Sequence, residues 1–193
     1  NYEKYDAFVH MTLGDGLVFY SGNNPLNKTG GGVAYDGVGD MNVSEFKKIS
    51  DLVERDRAYK EAAIDYIMSN PLHALKMMGV KFIRFWRLWP FSSEYQQLYI
   101  VVISILSYGV VLALALGFFY RRPLPQIMKI SPILLFSGYL TLVHMLTIGS
   151  IRYRLPIEPF LIILASWKLN EIIGRFKIGK RLQNFLELCG VGR

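Results

Sequence analysis

Two long uncharged runs dominate the second half of the chain. Residues 98–120 form a stretch of 23 without a formal charge, and residues 130–151 form one of 22 broken only by His144. A 23-residue helix spans about 34 Å, enough to cross a hydrocarbon core of about 30 Å. Both runs therefore predict membrane-spanning helices. A third run, residues 155–173, carries Glu158 near one end and Lys168, Asn170 and Glu171 near the other. It predicts a third span whose charged ends reach the interfaces, with a partly re-entrant path as the alternative.

The first half reads differently. Residues 7–13 and 17–20 are β-prone runs around Gly14-Asp15-Gly16, which predicts a hairpin. Ser21-Gly22-Asn23-Asn24-Pro25 and Gly30-Gly31-Gly32 follow, a shaped loop rather than a regular element. The loop is either a connector or a place where glycine lets the backbone approach a ligand or a membrane surface. It lacks P-loop spacing, so no nucleotide site is assigned. Residues 44–69 predict a charged helix with Ser44 as its N-cap. Asn70-Pro71 then starts a second helix running to about Trp89 and stopped by Pro90.

That second helix is strongly two-sided. At roughly 100° per residue, His73, Lys76, Lys81, Arg84 and Arg87 fall within an arc of about 140°. Leu72, Leu75, Met78, Phe82, Phe85, Trp86 and Trp89 lie opposite. A basic face against an aromatic-rich face predicts a helix lying in a membrane interface, with Lys76, Lys81, Arg84, Arg87, Trp86 and Trp89 at the boundary. The basic face would meet anionic headgroups or a lipid-linked phosphate. An ordinary amphipathic helix packed on its own domain is the plainer reading.

Charge sharpens the division. Residues 1–97 hold 11 Lys/Arg and 12 Asp/Glu, a net of −1, while residues 98–193 hold 11 and 3, a net of +8. A half that is both apolar and basic points to a membrane protein, not a nucleic-acid binder. The short loop with Arg121, Arg122 and Lys129, and the tail with Arg175, Lys177, Lys180 and Arg181, should face the cytoplasm. Residues 1–97 then face outward. Asn27-Lys28-Thr29 and Asn42-Val43-Ser44 are glycosylation sequons, read here as accidental. His10, His73 and His144 show no ligand spacing, and Cys189 has no nucleophile context. No cofactor is called for, although a divalent metal stays open.

The segment Ile151-Arg152-Tyr153-Arg154-Leu155-Pro156-Ile157-Glu158-Pro159 sets two arginines, a tyrosine and a glutamate at the predicted outer edge of a span. Guanidinium groups present planar donor forks that suit phosphate oxygens. Snorkelling anchors would look similar. Glu158 could pair with Arg154 four residues away, or act as a base.

Taken in order, Asn1-Tyr2, Gly22-Asn23-Asn24-Pro25, Arg55-Asp56, Ala62-Ala63-Ile64-Asp65-Tyr66-Ile67, Asn70-Pro71, Lys81-Phe82-Ile83-Arg84-Phe85-Trp86 and Arg152-Tyr153-Arg154-Leu155-Pro156 form a familiar succession. It resembles the C-terminal half of prokaryotic polytopic (GT-C type) glycosyltransferases related to protein O-mannosyltransferases and lipid A aminoarabinose transferases. The resemblance covers residues 1 to about 170 and rests on the ordered set, not on one motif. It implies transfer of a sugar from a polyprenyl-phosphate donor to an acceptor on the outer face. It implies donor-phosphate contacts from Arg152 and Arg154, with Tyr153 and Glu158 beside them, and a role for Asn23 and Asn24 at the donor or acceptor. The family's catalytic carboxylate lies in an early outer loop, so this chain is expected to be a piece of something longer that lacks it.

The expected fold is thus mainly α and integral to the membrane. It comprises an outer α+β segment (1–69), an interfacial helix and linker (70–97), three spans (98–173) and a basic cytoplasmic tail (174–193). The expected protein is a multi-pass inner-membrane glycosyltransferase whose partners are the lipid-linked donor, membrane lipid and a glycan, lipid or protein acceptor. The alternative is a non-catalytic membrane subunit or transporter recognising lipid-linked sugars. A bare scaffold subunit is a third reading.

Overall fold

The computed structural model describes residues 14–32, 44–91 and 95–175. The chain is mainly α-helical, and there is no strand among the described residues. It divides into two compact units, Asn1–Gln96 with Gly138–Arg154, and Gln97–Ser137 with Leu155–Arg193.

The first unit begins with α1 (Asp15–Gly22). Residues 17–20, expected as the second arm of a hairpin, are helical here, and residues 7–13 lie outside the described residues. The cause is a distant carboxylate. Asp56 Oδ1 accepts from the backbone N–H of Gly14 at 3.0 Å and of Gly16 at 2.7 Å. An acidic side chain satisfying the free N–H groups at a helix start stabilises the helix over the turn. Gly14, with φ at +133°, supplies the entry conformation.

The single helix expected over residues 44–69 is two. The short α2 (Ser44–Lys47) precedes α3 (Leu52–Ser69). The real cap of the long helix is Asp51, whose side chain accepts from Val53 N at 2.7 Å and Glu54 N at 3.0 Å. Tyr20, Phe46 and Tyr59 form an aromatic cluster that joins α1, α2 and α3, with ring centroids 4.4–5.7 Å apart.

Helix α4 (Pro71–Trp86) starts with proline in its first turn, as expected. It ends three residues earlier than expected. Pro90 has no N–H to bond the Trp86 carbonyl, so the next turn cannot form, and Arg87 is already extended with ψ at 144°. The unit is completed by the end of α7 (Ser131–Leu146) and a 3₁₀ turn, Ile151–Arg154.

The orientation of α4 reverses the expectation. Lys81 is fully buried and Arg84 is 9% exposed, while Leu72 is 83%, Leu75 65% and Ile83 68% exposed. Only Lys76 of the expected basic face sits on the outer side. Lys81 and Arg84 turn inward because the neighbouring loop and turn offer backbone carbonyls and an asparagine oxygen, which leaves Leu72, Leu75, Phe82 and Ile83 facing out while Phe85 is buried beside the cations.

Among its described residues the second unit contains one helix long and apolar enough, by length and composition, to cross a membrane, α5 (Leu98–Phe118). It includes one π-helical turn, Ile105–Gly109. The helix over the second apolar run, α7, has only 16 residues. Between them lies the short α6 (Leu124–Met128), and α8 (Glu158–Arg175) closes the unit. Ala115 and Phe118 of α5 are buried, and Phe118 meets Trp167 of α8 with centroids 5.6 Å apart. Beside them Glu171 pairs with Arg122 and, at 3.5 Å, with Lys168. Arg122 also lies over the Phe118 ring at 3.9 Å. These charges satisfy one another near the end of α5 and within the C-terminal part of α8.

Candidate functional site

The site is built at a junction in the first unit where three backbones come close. A Cβ on Gly22 would overlap the Thr147 carbonyl oxygen, and one on Gly149 would sit 2.6 Å from the Lys81 carbonyl oxygen. Only glycine permits these approaches. Gly149 N then donates to Gly30 O at 2.9 Å, joining the loop to the turn after α7.

Side-chain amides hold the loop in shape. Asn23 Nδ2 donates to Phe19 O at 3.0 Å and Leu146 O at 2.9 Å, and Asn23 Oδ1 accepts from Lys81 Nζ at 2.8 Å. Asn24 Nδ2 donates to Tyr20 O and Ser21 O, and its Oδ1 accepts from Leu26 N and Asn27 N. Both residues, expected at the donor or acceptor, are buried ties and do not line the cavity. The glycines of this loop likewise approach α4 and the 147–150 turn rather than a ligand, except that Gly32 reaches the cavity wall.

The cavity itself has a volume of about 760 Å³, within the usual range for small-molecule sites of roughly 300–1,000 Å³. Arg84, Arg87 and Arg152 line it together with Trp89, Phe91, Tyr95 and Tyr153. Apolar side chains from α1 and from the 148–151 turn complete the wall, and no carboxylate lines it among the described residues. It is an amphiphilic chamber, with cations set among aromatic and aliphatic surfaces.

The arginines are held in different ways. Arg84 Nε donates to Gly149 O at 2.7 Å and its guanidinium lies 4.1 Å from the Phe91 centroid. Arg154, expected as a phosphate contact, is 5% exposed and donates to the carbonyls of Phe85 and Arg87. It fixes the end of α4 from behind and does not line the cavity. Arg152 and Tyr153 are exposed at the rim, with the Tyr153 ring stacked on His144 at 4.3 Å. Glu158 opens α8 in the other unit and is not part of the lining.

Of the residues expected at a membrane boundary, Arg84, Arg87 and Trp89 belong to this cavity, Lys81 is buried behind it, and Trp86 is half-buried against Phe85. Phe91 and Tyr95 were not singled out by sequence. The signal available was Arg87-x-Trp89-Pro90-Phe91, aromatics spaced after a helix stop so that they fold back on an arginine.

Lys81 has an unusual environment. Its neighbours Asn23 and Leu146 O, the latter at 3.3 Å, are neutral. Burial without a compensating charge lowers its pKa from 10.5 to about 8. Arg87 is also lowered, first by burial and then by the Arg84 charge.

Compared with protein-family models, with curated proteins and with solved structures, the chain gives no match.

Proposed function

We propose that this chain is the C-terminal part of a multi-pass membrane glycosyltransferase that uses a polyprenyl-phosphate-linked sugar and acts on the outer face. The cavity carries the proposal. A lipid-linked phosphate joins an anion to an apolar chain, and the chamber combines three arginines with aromatic walls. Arginine suits a leaving phosphate, whose charge must be held as the sugar departs.

Two further features support a membrane setting. Leu72, Leu75, Phe82 and Ile83 of α4 face outward while Lys81 and Arg84 are buried, an arrangement suited to lipid rather than water. Only 6% of the apolar window in α5 is buried inside the structure. Spans over α7 and α8, with residues 1–97 outside and the C-terminus in the cytoplasm, belong to this same reading.

The described lining offers no carboxylate to serve as a base. That fits a transferase whose base comes from another part of the protein, and also a non-catalytic subunit that recognises the same lipid. Turnover separates them. The full protein in proteoliposomes should release polyprenyl phosphate from a polyprenyl-phosphate sugar as the sugar passes to an added acceptor or to water, and Arg152→Ala should cut the rate strongly. Binding without release would favour the non-catalytic subunit. Release that is unchanged in Arg152→Ala would take Arg152 out of the mechanism, and release unchanged in Arg152→Ala and Arg87→Gln together would take the cavity out with it.

A further inference from the structure

Three arginines reach the cavity, yet their donors are not equally available. Arg84 is anchored to the Gly149 carbonyl, and its second nitrogen lies 3.4 Å from Thr29 O. Arg152 is at the exposed rim. Arg87 makes no side-chain hydrogen bond or ion pair among the described residues. Its guanidinium instead lies 4.3 Å from the Trp89 centroid and 5.2 Å from the Phe91 centroid.

We propose that Arg87 is the residue that grips the anionic head of the cavity's ligand, a phosphate ester carried on an apolar chain, the group common to the sugar-bearing diester donor and the polyprenyl phosphate monoester it releases. The assignment rests on the lipid-phosphate reading of the cavity and names the residue that sets its selectivity.

The geometry supports it in three ways. An aromatic ring engages the face of a guanidinium and leaves its edge, where the N–H donors point, open for a bidentate oxyanion. Arg87 also shares Phe91 with Arg84, so two like charges lie against one ring, a repulsion that a bound anion would relieve. Finally, the backbone of Arg87 is fixed by Arg154, which donates to the Arg87 carbonyl and, at 3.4 Å, to that of Phe85. Arg154 is thus a positioning residue that sets the angle at which Arg87 enters the cavity. Trp89 and Phe91 supply the apolar surface for the first carbons of the chain.

The test is a titration of the purified full-length protein in detergent micelles, followed by tryptophan fluorescence, because Trp89 lies directly against Arg87. The probes are farnesyl phosphate, farnesol and inorganic phosphate. Wild type should bind farnesyl phosphate at least tenfold more tightly than farnesol. Arg87→Gln should lose that preference while still binding farnesol, which also shows that the variant is folded. Arg87→Lys should keep part of it, since an ammonium retains charge without the fork.

An Arg87→Gln protein that still prefers farnesyl phosphate overturns the assignment and leaves the lipid-phosphate reading standing. A wild type with no preference for the phosphate overturns both. Inorganic phosphate binding as tightly as farnesyl phosphate overturns the amphiphile and points to a free-anion seat.

Discussion

Lys81 reaches from α4 to Asn23 in the loop after α1, its Nζ 2.8 Å from Oδ1, at a point where the lysine side chain has no exposed surface. No carboxylate accompanies it among its hydrogen-bond partners. The ammonium therefore ties loop, helix and the end of α7 together at the cost of burying a charge among neutral acceptors.

A pH dependence of stability follows. Lys81 has a folded pKa of about 8 and an ordinary value of 10.5. Between these values the unfolded chain holds more protons, so stability should rise as pH increases from about 8 to 10.5. At 1.36 kcal/mol per unit, the gain is on the order of 3 kcal/mol. Thermal unfolding of wild type and Lys81→Met from pH 7 to 10 checks this. The substitution should flatten the alkaline slope, and equal slopes would show that the lysine does not titrate in that window.

Arg154→Ala should lower stability by roughly 2–4 kcal/mol, because the carbonyls of Phe85 and Arg87 would lose a buried charged donor. Expression and thermal unfolding read it directly. A variant as stable as wild type would show that these two hydrogen bonds do not hold the end of α4.

Asp56→Ala should destabilise the first unit by about 1–3 kcal/mol. It removes the acceptor for Gly14 N and Gly16 N, and the 2.7 Å ion pair with Lys60. Hydrogen exchange should show the loss at the start of α1. Asp56→Asn keeps an acceptor oxygen and should recover part of the protection.

Gly22→Ala places a methyl group where the Thr147 carbonyl oxygen lies. Because the obstacle is backbone, the junction must open, and the variant should lose stability by several times the usual cost of an exposed substitution, roughly 0.5 kcal/mol. A melting temperature close to wild type would mean that the junction yields freely.

On the outward stripe of α4, Ile83 is 68% exposed, and an Ile83→Cys protein carrying an environment-sensitive fluorophore should emit as from an apolar medium in proteoliposomes and be quenched by brominated lipid. Emission as from water, without quenching by brominated lipid, would mean that this stripe does not meet lipid.

Much of the helical layout could be read from local pattern. Asn70-Pro71 marked the start of α4, Pro90 marked the stop of that region, and 98–118 lies within the first apolar run. What could not be read depends on distant partners. Residues 17–20 become helix because Asp56, 40 positions beyond Gly16, supplies the missing acceptor. The side of α4 that turns inward depends on Asn23, Leu146 and Gly149, none of them local to the helix. Periodicity separates two faces but does not say which one is buried. The 152–154 segment was legible as a place of interest, and Arg152 and Tyr153 do border the cavity. The division of labour was not, since Arg154 finds its carbonyl partners 67 and 69 residues earlier in the chain.

The Asn27-Lys28-Thr29 tripeptide has a practical consequence for producing the protein. Asn27 is 1% exposed, its amide nitrogen donates to Ser21 O at 2.7 Å and Gly31 O at 2.8 Å, and its oxygen accepts from Thr29 N and Gly30 N. Once the loop has closed, no transferase can reach that nitrogen. A eukaryotic secretory host, however, modifies nascent chains before they fold, and a glycan attached there would keep the loop from closing. The choice of expression host thus decides whether this corner of the protein assembles at all. An Asn27→Gln chain would not rescue it, because the longer side chain has no room to repeat the four hydrogen bonds that tie Ser21, Thr29, Gly30 and Gly31 together.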